Sequence, residues 1–522
     1  MCFPCGKRSA SPPPLPLSRP THSDANTLII GAQGRSTAVT LTGDSLLVQR
    51  NSDKRWPRVE SNVHHVLWAE LKGGLFNLSF LARRNAKSPL ALVHVSGSVR
   101  MDEVEHAALF ATRLMDKAYA GVKRHKKLKI LINPKSGPGN AIAHFNERIE
   151  PVFHAARCIV DSTFTSYGGH ARELMRELDL DQYDAVVVVS GDGSIHEVIN
   201  GFAEHRDPER AFRIPIAPVP SGSGNGLSLN ILGMQDGYDV SAGALNAIKG
   251  RPMHIDLMSV AQNGHRTFSF LSQTVGLFAD LDLGTEWMRC LGATRFVLGY
   301  IFGVLRKTRC PVQLSLKVVE SDKRKMVQDL NAYRANAKAQ YSQHSSLPPS
   351  SPAPTPWTAT TGYESTIGGT TVNSTTPLEP KRPSVVSEPD ADGWVTFMKP
   401  LSFVYAGKGS YVSKDLMQFP VSIPDDGLLD VVAQELSTRK VMIDAMAGSE
   451  SGDQFWMDTQ HYFRATAYRV EPYKANGCFS VDGESYPFAS FEVECHRGLA
   501  TVLSPCGYYQ AEFHLPEDAP RK

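Results

Sequence analysis

Three glycine-rich turns, each placed directly after a run of apolar residues, constrain the fold of this 522-residue chain more than any other feature. The apolar runs cover residues 128–132, 184–189 and 214–219. Uninterrupted runs of this kind are typical of strands that are buried on both faces of a parallel sheet. Helical patterns begin near residue 141 and cover 169–178. The sequence therefore predicts an α/β domain over residues 125–258.

The turns themselves are suited to binding phosphate, and they cover residues 133–140, 190–194 and 220–226. In open α/β sheets, ligands bind at the carboxyl ends of the strands. Glycine lets the backbone approach a phosphate, and helix N-termini offer free N–H groups. Three such turns at one sheet edge predict a polyphosphate site, and the alternative is a set of ordinary tight turns. None matches the P-loop or the GxGxxG dinucleotide pattern.

Asp192 stands among these glycines, where a negative charge is unfavourable beside phosphate unless it has a task. It could accept the proton of an attacking hydroxyl or hold Mg²⁺ against a nucleotide. It could also cap the helix that follows it. His196 and Glu197 lie one turn further on, and we interpret them as residues that support the helix and the site around it.

Outside the α/β region the sequence predicts three further parts. Residues 1–25 are rich in proline and serine and predict a disordered tail. Residues 26–124 combine short apolar runs with one helical pattern at 102–122, which predicts a β-rich module, either pleckstrin-homology-like or a plain extension. Residues 259–515 predict a β-rich domain, and its stretch 325–391 is expected to be a disordered insert.

The composition of the chain limits the classes of partner and the cellular setting that we expect. The formal net charge is only +2, so no strong field argues for nucleic acid. The cysteines show no disulfide framework. No secretory signal or spanning segment of roughly 18 apolar residues is seen, and we expect a cytoplasmic protein. Cys2 and Cys5 lie beside Lys7 and Arg8 and are candidates for S-acylation, with an incidental tail as the alternative.

Four separated segments resemble the diacylglycerol-kinase catalytic superfamily, which includes diacylglycerol, ceramide and sphingosine kinases. They read SGDGSIHEVING at 190–201, PSGSGN at 220–225, FSFLSQTVGLFADLDLGTEWMRCLGATRFVLG at 268–299 and SVDGE at 480–484. The SGDG form and the third segment are most similar to sphingosine kinases. The likeness covers about 127–320 and 393–505. It implies an α/β nucleotide-binding domain joined to a β-sandwich lipid-binding domain, with ATP in the cleft.

The resemblance also implies roles for individual residues. Asp192 would be the catalytic base, and Asp282 would recognise the polar head of the lipid with Ser272 and Thr274 beside it. Two arginines would clamp the ATP phosphates, which suits a planar, permanently charged group. Asp482 would also be a Mg²⁺ ligand. The full ATP-binding set is Asn133, Pro134, Lys135, Thr165, Gly169, Ser190, Gly191, Gly193, Ser223, Arg289, Arg295, Asp482, Gly483 and Glu484.

The chemistry of Asp282 can be stated from the substrate. A sphingoid base carries a free amine that is protonated at neutral pH, and a carboxylate at the mouth of an apolar pocket would pair with it. Ceramide lacks that charge. On the residues alone, Asp280 and Asp282 also fit a solvated turn or helix start. The apolar run 296–305 suits an acyl-chain tunnel, a membrane-facing lid or an ordinary core helix.

The sequence thus predicts an ATP- and Mg²⁺-dependent kinase of sphingosine, dihydrosphingosine and phytosphingosine, bound peripherally to intracellular or plasma membranes. A ceramide or diacylglycerol kinase and an inactive lipid-binding scaffold are the alternatives; a homodimer is left open. The apolar run 296–305 argues against a soluble NAD kinase. Pro138 and Asn140 stand where relatives often carry lysine, so Lys135 would make more of the phosphate contact. Cys290 replaces an arginine that often follows Arg289.

Overall fold

The computed structural model describes residues 24–32, 35–50, 58–284, 294–306, 309–343 and 385–517. The chain forms two compact units. The described residues of the first come from Met1–Ala82 and Val93–Ala118, and those of the second from Arg83–Leu92 and Tyr119–Lys522.

The first unit is a seven-stranded antiparallel sheet with one helix. Its strands are β1 (Thr27–Ala32), β2 (Arg35–Thr42), β3 (Ser45–Arg50), β4 (Arg58–Asn62), β5 (Val66–Lys72), β6 (Leu75–Arg83) and β7 (Leu90–Ser98), in the order β4-β3-β2-β1-β7-β6-β5. Helix α1 (Val104–Ala118) buries Phe110 and Leu114. The Phe110 ring meets Phe76 edge-on, with centroids 6.0 Å apart. The predicted N-terminal β-rich region is confirmed.

The second unit opens with four parallel strands, as the apolar runs predict. These are β8 (Lys127–Ile132), β9 (Ile159–Phe164), β10 (Ala185–Ser190) and β11 (Ile216–Pro220), in the order β9-β8-β10-β11. Its helices here are α2 (Ala141–His144), α3 (Glu150–Ala155), α4 (His170–Arg176), α5 (Asp192–Ala203), α6 (Pro208–Ala211), α7 (Gly226–Asp236) and α8 (Val240–Lys249). A π-helical turn, Phe145–Ile149, joins α2 to α3. Every residue of β10 is buried, which explains its unbroken valine run.

The rest of the second unit is mostly antiparallel sheet. It contains β12 (Arg251–Gln262), β13 (His265–Ser269), β14 (Ser272–Gly276), α9 (Leu277–Gly284), α10 (Thr294–Arg306), β15 (Val312–Glu320), α11 (Lys323–Gln343), β16 (Val395–Thr396), β17 (Leu401–Gly407), β18 (Leu429–Glu435), α12 (Arg439–Ala447), β19 (Gln460–Pro472), β20 (Phe479–Val481), β21 (Glu484–Tyr486) and β22 (Phe491–Ser504). Strand β22 pairs in parallel with β11, so the two regions share one sheet. Among the described residues, no helix combines the length and apolar character needed to span a membrane.

Helix α11 corrects one expectation. The sequence predicts a disordered insert over 325–391, yet residues up to Gln343 are helical. Met326, Val327 and Leu330 are buried on one face of this helix, and the Lys323 amine donates to the carbonyls of Met457 (3.0 Å) and Gln460 (2.8 Å). The polar composition of the segment hides this narrow apolar stripe. Residues 344–384 of the insert lie outside the described ranges.

Candidate active site

Loops from all four parallel strands meet at the carboxyl edge of the sheet. Asn133 follows β8, Thr165 follows β9, Gly191 follows β10 and Ser221 follows β11. Their backbones continue the sheet pairing for one more step. The Asn133 amide donates to the Val189 carbonyl (3.2 Å). The Thr165 amide donates to the Ile132 carbonyl (2.8 Å), and the Ser221 amide donates to the Ser190 carbonyl (3.1 Å). The three predicted phosphate turns are therefore neighbours in space, together with the 165–169 turn.

Glycine is required where these turns touch each other. A Cβ on Gly222 would lie 2.3 Å from the Gly191 Cα, and one on Gly191 would lie 2.5 Å from the Gly224 carbonyl oxygen. A Cβ on Gly137 would lie 2.6 Å from the Ser221 carbonyl oxygen, at a φ of +55°. Real Cβ atoms do not make such contacts. These glycines let the three turns pack backbone against backbone.

Hydroxyl groups link the first two turns. Ser194 Oγ donates to Ser190 Oγ (2.8 Å), which donates to Ser136 Oγ (3.2 Å). The Asn133 side chain accepts a hydrogen bond from the Lys135 amide (3.0 Å). Ser190 and Ser136 are buried, so their hydroxyls hold the loops together. Lys135 and Ser223 are exposed at the same edge.

Asp192 is buried, and its carboxylate caps a helix other than its own. It accepts hydrogen bonds from the backbone amides of Gly226 (2.7 Å) and Leu227 (3.2 Å), the first residues of α7. The alternative that Asp192 caps the helix that follows it is therefore wrong, because the side chain turns towards α7. Burial raises the pKa of Asp192 to about 6, the two amides oppose this rise, and the negative charge of Asp482 adds to it.

The two residues that follow on α5 hold other parts of the site. Glu197 accepts hydrogen bonds from the amides of Gly169 (2.9 Å) and Ala171 (3.1 Å), so it fixes the turn before α4. The His196 Nδ1 lies 2.8 Å from the Asp482 carboxylate. Because Asp192, His196 and Glu197 are on one helix, α5 anchors α7, the second sheet region and α4 at once.

The Asp482 carboxylate is fully occupied by protein groups. It accepts the Ser269 hydroxyl (2.7 Å) and the backbone amides of residues 270–272 (2.9 to 3.2 Å), besides the contact with His196. Its side chain is 0% exposed. This arrangement argues against the expected Mg²⁺-ligand role of Asp482, because a metal ion would have to displace several of these donors. The motif alone does not reveal that Asp482 is bound by protein groups, because the donors lie more than 200 residues away in the sequence.

Glu484 is the acid of this motif that faces the glycine turn. Asp482 and Gly483 have φ values of +50° and +86° and form the two-residue turn between β20 and β21. Glu484 is exposed, and its Oε1 lies 3.1 Å from the position that a Cβ on Gly193 would take. Within the described ranges, no cluster of three or more His, Cys, Asp or Glu side chains is suited to a metal ion.

The predicted lipid-binding residues lie on β14 and α9. Ser272 and Thr274 are buried, and the Thr274 hydroxyl donates to the Val404 carbonyl (3.2 Å). Asp282 belongs to α9 and Arg295 to α10, but their side chains lie outside the described structure, as does all of Arg289. Cys2 and Cys5 also lie outside the described residues.

Sequence reasoning missed two buried asparagines that shape the site. Asn200 bonds the Phe268 amide and carbonyl, each at 2.9 Å, and so fixes α5 against β13. Asn225 closes the 220–226 turn by accepting from the Gly222 amide (3.1 Å) and donating to its carbonyl (2.8 Å). Asn200 carries a usable signal, because it is a polar residue on the buried face of an apolar helix.

Comparison of the sequence with known proteins places this chain among lipid kinases. The family model described as "Diacylglycerol kinase catalytic domain" matches residues 127–260. The chain is 31% identical over 450 residues to sphingoid long chain base kinase 4 of Schizosaccharomyces pombe, covering 85% of this chain and 88% of that protein. It is 29% identical to sphingoid long chain base kinase 5 of Saccharomyces cerevisiae, in an alignment that covers 76% of this chain and 62% of that protein. It is 28% identical to human sphingosine kinase 1, in an alignment that covers 73% of this chain and 91% of that protein.

A solved structure described as "a putative diacylglycerol kinase from Bacillus anthracis str. Sterne" aligns with a TM-score of 0.46 at 16% identity. The alignment covers 73% of this chain and 98% of that one.

Proposed function

This chain belongs to the sphingoid long-chain base kinase family, and we propose that it transfers the γ-phosphoryl group of ATP to the primary hydroxyl of sphingosine, dihydrosphingosine or phytosphingosine. It is a lipid kinase, and its family uses ATP. The observation that carries the proposal is Asp192, a buried carboxylate at the meeting point of three glycine turns. Support for the lipid class comes from the names of the relatives and from the motif around Asp282.

ATP would be bound at the carboxyl edge of the parallel sheet. Residues 133–135, 165–169 and 190–193 would contact the nucleotide together with Ser223. The N-terminus of α5 lies at this edge, and the positive end of its helix dipole would favour phosphate. Arg289 and Arg295 would neutralise the phosphates as permanently charged groups.

Asp192 would act as the general base. The lipid hydroxyl oxygen forms a bond to the γ-phosphorus, the bond between that phosphorus and the ADP oxygen breaks, and the hydroxyl proton passes to Asp192. A base is most useful when its pKa lies near the working pH. The pKa of Asp192, raised to about 6 by burial, leaves the carboxylate ionised at neutral pH yet more basic than an exposed aspartate.

Glu484 suits a nucleotide-bound Mg²⁺ better than Asp482 does. Its carboxylate is exposed and faces Gly193, whereas every oxygen of Asp482 already accepts hydrogen bonds. Mg²⁺ is commonly held by one or two carboxylates together with substrate phosphates. Bound there, the ion would neutralise phosphate charge, and Glu484 would orient it.

The lipid would lie in the antiparallel region, which we regard as a β-sandwich lipid-binding domain. An apolar cluster joins α9, α10 and α11 through Leu277, Leu281, Tyr300, Val304 and Met326. Asp282 lies on α9, one residue after Leu281. An acidic residue on a helix that contributes to this apolar cluster suits a protonated amine that carries a long chain.

A lipid panel tests the proposed substrate. With purified protein and MgATP, we expect phosphorylation of sphingoid bases and little of ceramide or diacylglycerol. Asp282→Asn should raise KM for the sphingoid base roughly 10- to 100-fold, because a hydrogen bond between charged groups is lost, and leave KM for ATP unchanged. Asp280→Asn, two residues earlier on α9, is the control and should leave lipid KM unchanged. A preference for diacylglycerol would overturn the substrate assignment.

Peripheral membrane binding would use the outer face of α10. Ile301, Phe302 and Leu305 are 39%, 55% and 52% exposed, whereas Tyr300 and Val304 are buried on the other face. Phe302→Ser should weaken co-sedimentation with phosphatidylcholine–phosphatidylserine vesicles roughly tenfold, because one aromatic side chain is lost from the apolar face. Ile443→Ser on α12, which is 49% exposed, is the matched control. Equal losses in both variants would contradict this role of α10.

The first unit would be a pleckstrin-homology-like module. Support comes from its seven antiparallel strands, connected as two successive meanders, and the single helix after the last strand.

A further inference from the structure

One imidazole ring contacts both ends of the segment that carries Glu484. His196 Nδ1 lies 2.8 Å from Asp482 Oδ2, and its Nε2 lies 3.3 Å from the Tyr486 hydroxyl. Asp482 and Tyr486 flank Glu484 by two residues on either side. The His196 side chain is 8% exposed and that of Asp482 is 0% exposed, so the contact between them is shielded from water.

The hydrogen-bonding partners determine where the proton of His196 lies. Asp482 receives hydrogen bonds from three backbone amides and one hydroxyl, and it acts only as an acceptor. Nδ1 must therefore carry a proton to bond with it. In the neutral ring, Nε2 then has a free lone pair and accepts from the Tyr486 hydroxyl. The ring is thus fixed in both orientation and tautomer.

Glu484 lies in a short hairpin that faces the start of α5. The turn between β20 and β21 has only two residues, both with positive φ, and β21 is three residues long. Glu484 itself is exposed, and its Oε1 lies 3.1 Å from where a Gly193 Cβ would be. His196 is one turn of α5 beyond Gly193, so the helix that carries the glycine turn also holds the hairpin opposite it.

We propose that His196 is a positioning residue for phosphoryl transfer, which clamps the hairpin 482–486 so that Glu484 faces the nucleotide site. The inference rests on the proposed function of that site. His196 touches neither substrate nor nucleotide in this role, and it acts through Asp482, Tyr486 and Glu484. Its purpose is to couple two motifs that are 286 positions apart in the chain.

The alternative is that His196 is a core histidine with no link to catalysis, and substitutions distinguish the two. His196→Ala should lower kcat about 10- to 100-fold, because small misplacements of groups around the transferred phosphoryl are costly. It should also reduce the gain in ADP affinity that Mg²⁺ provides, measured by calorimetry with and without the metal. His196→Asn keeps an N–H donor near the Nδ1 position and should retain both properties within about threefold.

His205 offers a matched control. It is a buried histidine just beyond α5, and its ring bonds the Leu178 carbonyl and the Asp207 amide (2.9 Å each), away from the hairpin. His205→Ala should lower the melting temperature without changing kcat or the Mg²⁺ effect. The inference is overturned if His196→Asn is no better than His196→Ala, or if both alanine variants lose activity in parallel with stability. If the unsubstituted chain phosphorylates no lipid, the proposed function fails. The effect of Mg²⁺ on ADP affinity in the His196 variants then still tests whether His196 positions Glu484.

Discussion

Asp192→Asn is expected to lower kcat by about 10²- to 10⁴-fold, the range of a lost general base. An asparagine oxygen can still accept the Gly226 amide, so the α7 cap and the loop packing should persist. Affinity for ADP should change little. Radiometric turnover with a sphingoid base and calorimetric ADP binding measure the two effects separately. A variant that retains most of its turnover would remove Asp192 from the role of base.

The pKa of Asp192 also sets the pH dependence. The base works when ionised, so kcat/KM, which reports the free enzyme, should fall as pH drops through about 6. The ionisation of Asp192 affects folding stability in the opposite direction, because stability decreases as pH rises. Because the folded pKa lies above the model value of 3.8, the folded state binds more protons between pH 3.8 and about 6, and stability falls as pH rises through that window. At pH 7.5 the melting temperature of Asp192→Asn should therefore be no lower than that of the unsubstituted protein.

Lys408→Met is expected to reduce the free energy of unfolding by about 3–5 kcal/mol, the cost of breaking a buried ion pair by removing one partner. The Lys408 amine is buried and lies 3.0 Å from Asp256 Oδ2, 2.7 Å from Asp426 Oδ1 and 2.6 Å from the Leu428 carbonyl. Burial alone would lower the pKa of Lys408, but Asp426 and Asp256 hold it well above its ordinary value. Methionine would leave these carboxylates without their cation.

Lys399→Met is the control for that experiment. Lys399 forms an ion pair with Glu435, and its side chain is 43% exposed. An exposed pair of this kind contributes about 1 kcal/mol or less. Denaturant unfolding of both variants compares them directly. Equal losses would show that the buried charge cluster around Lys408 does not dominate the stability of the antiparallel region.

The local patterns of this chain predict its sheet well. The valine run of β10 and the glycine turn after it are contiguous in sequence, so apolar periodicity and turn chemistry are sufficient to find them. The helix α11 was missed because only three of its first eight residues, Met326, Val327 and Leu330, form the buried stripe. Its polar residues dominate the composition and suggest disorder.

The roles of the acids are harder to predict, because they depend on distant partners. Asp192 is bound by amides 34 and 35 positions later, and Asp482 by groups more than 200 positions earlier. A motif indicates that an acid lies near phosphate, but it does not show which lone pairs are already used. The different roles of Asp482, which is bound by protein groups, and Glu484, which is exposed, are therefore seen only in the tertiary structure.

The backbone contacts among the glycine turns have a consequence for sequence variation. Gly191 and Gly222 leave no room for even one methyl group, so no substitution at these positions can be accommodated without moving two loops together. Gly139 has no close neighbours around the Cβ it lacks, but its φ of +83° would strain any side chain, whereas the flanking Pro138 and Asn140 are exposed. Space for a different side chain therefore exists on the outer side of the first turn, at Pro138 and Asn140, and is lacking where the three turns touch each other. Pro138 and Asn140, where the resembled kinases are expected to carry lysine, lie on that open outer side.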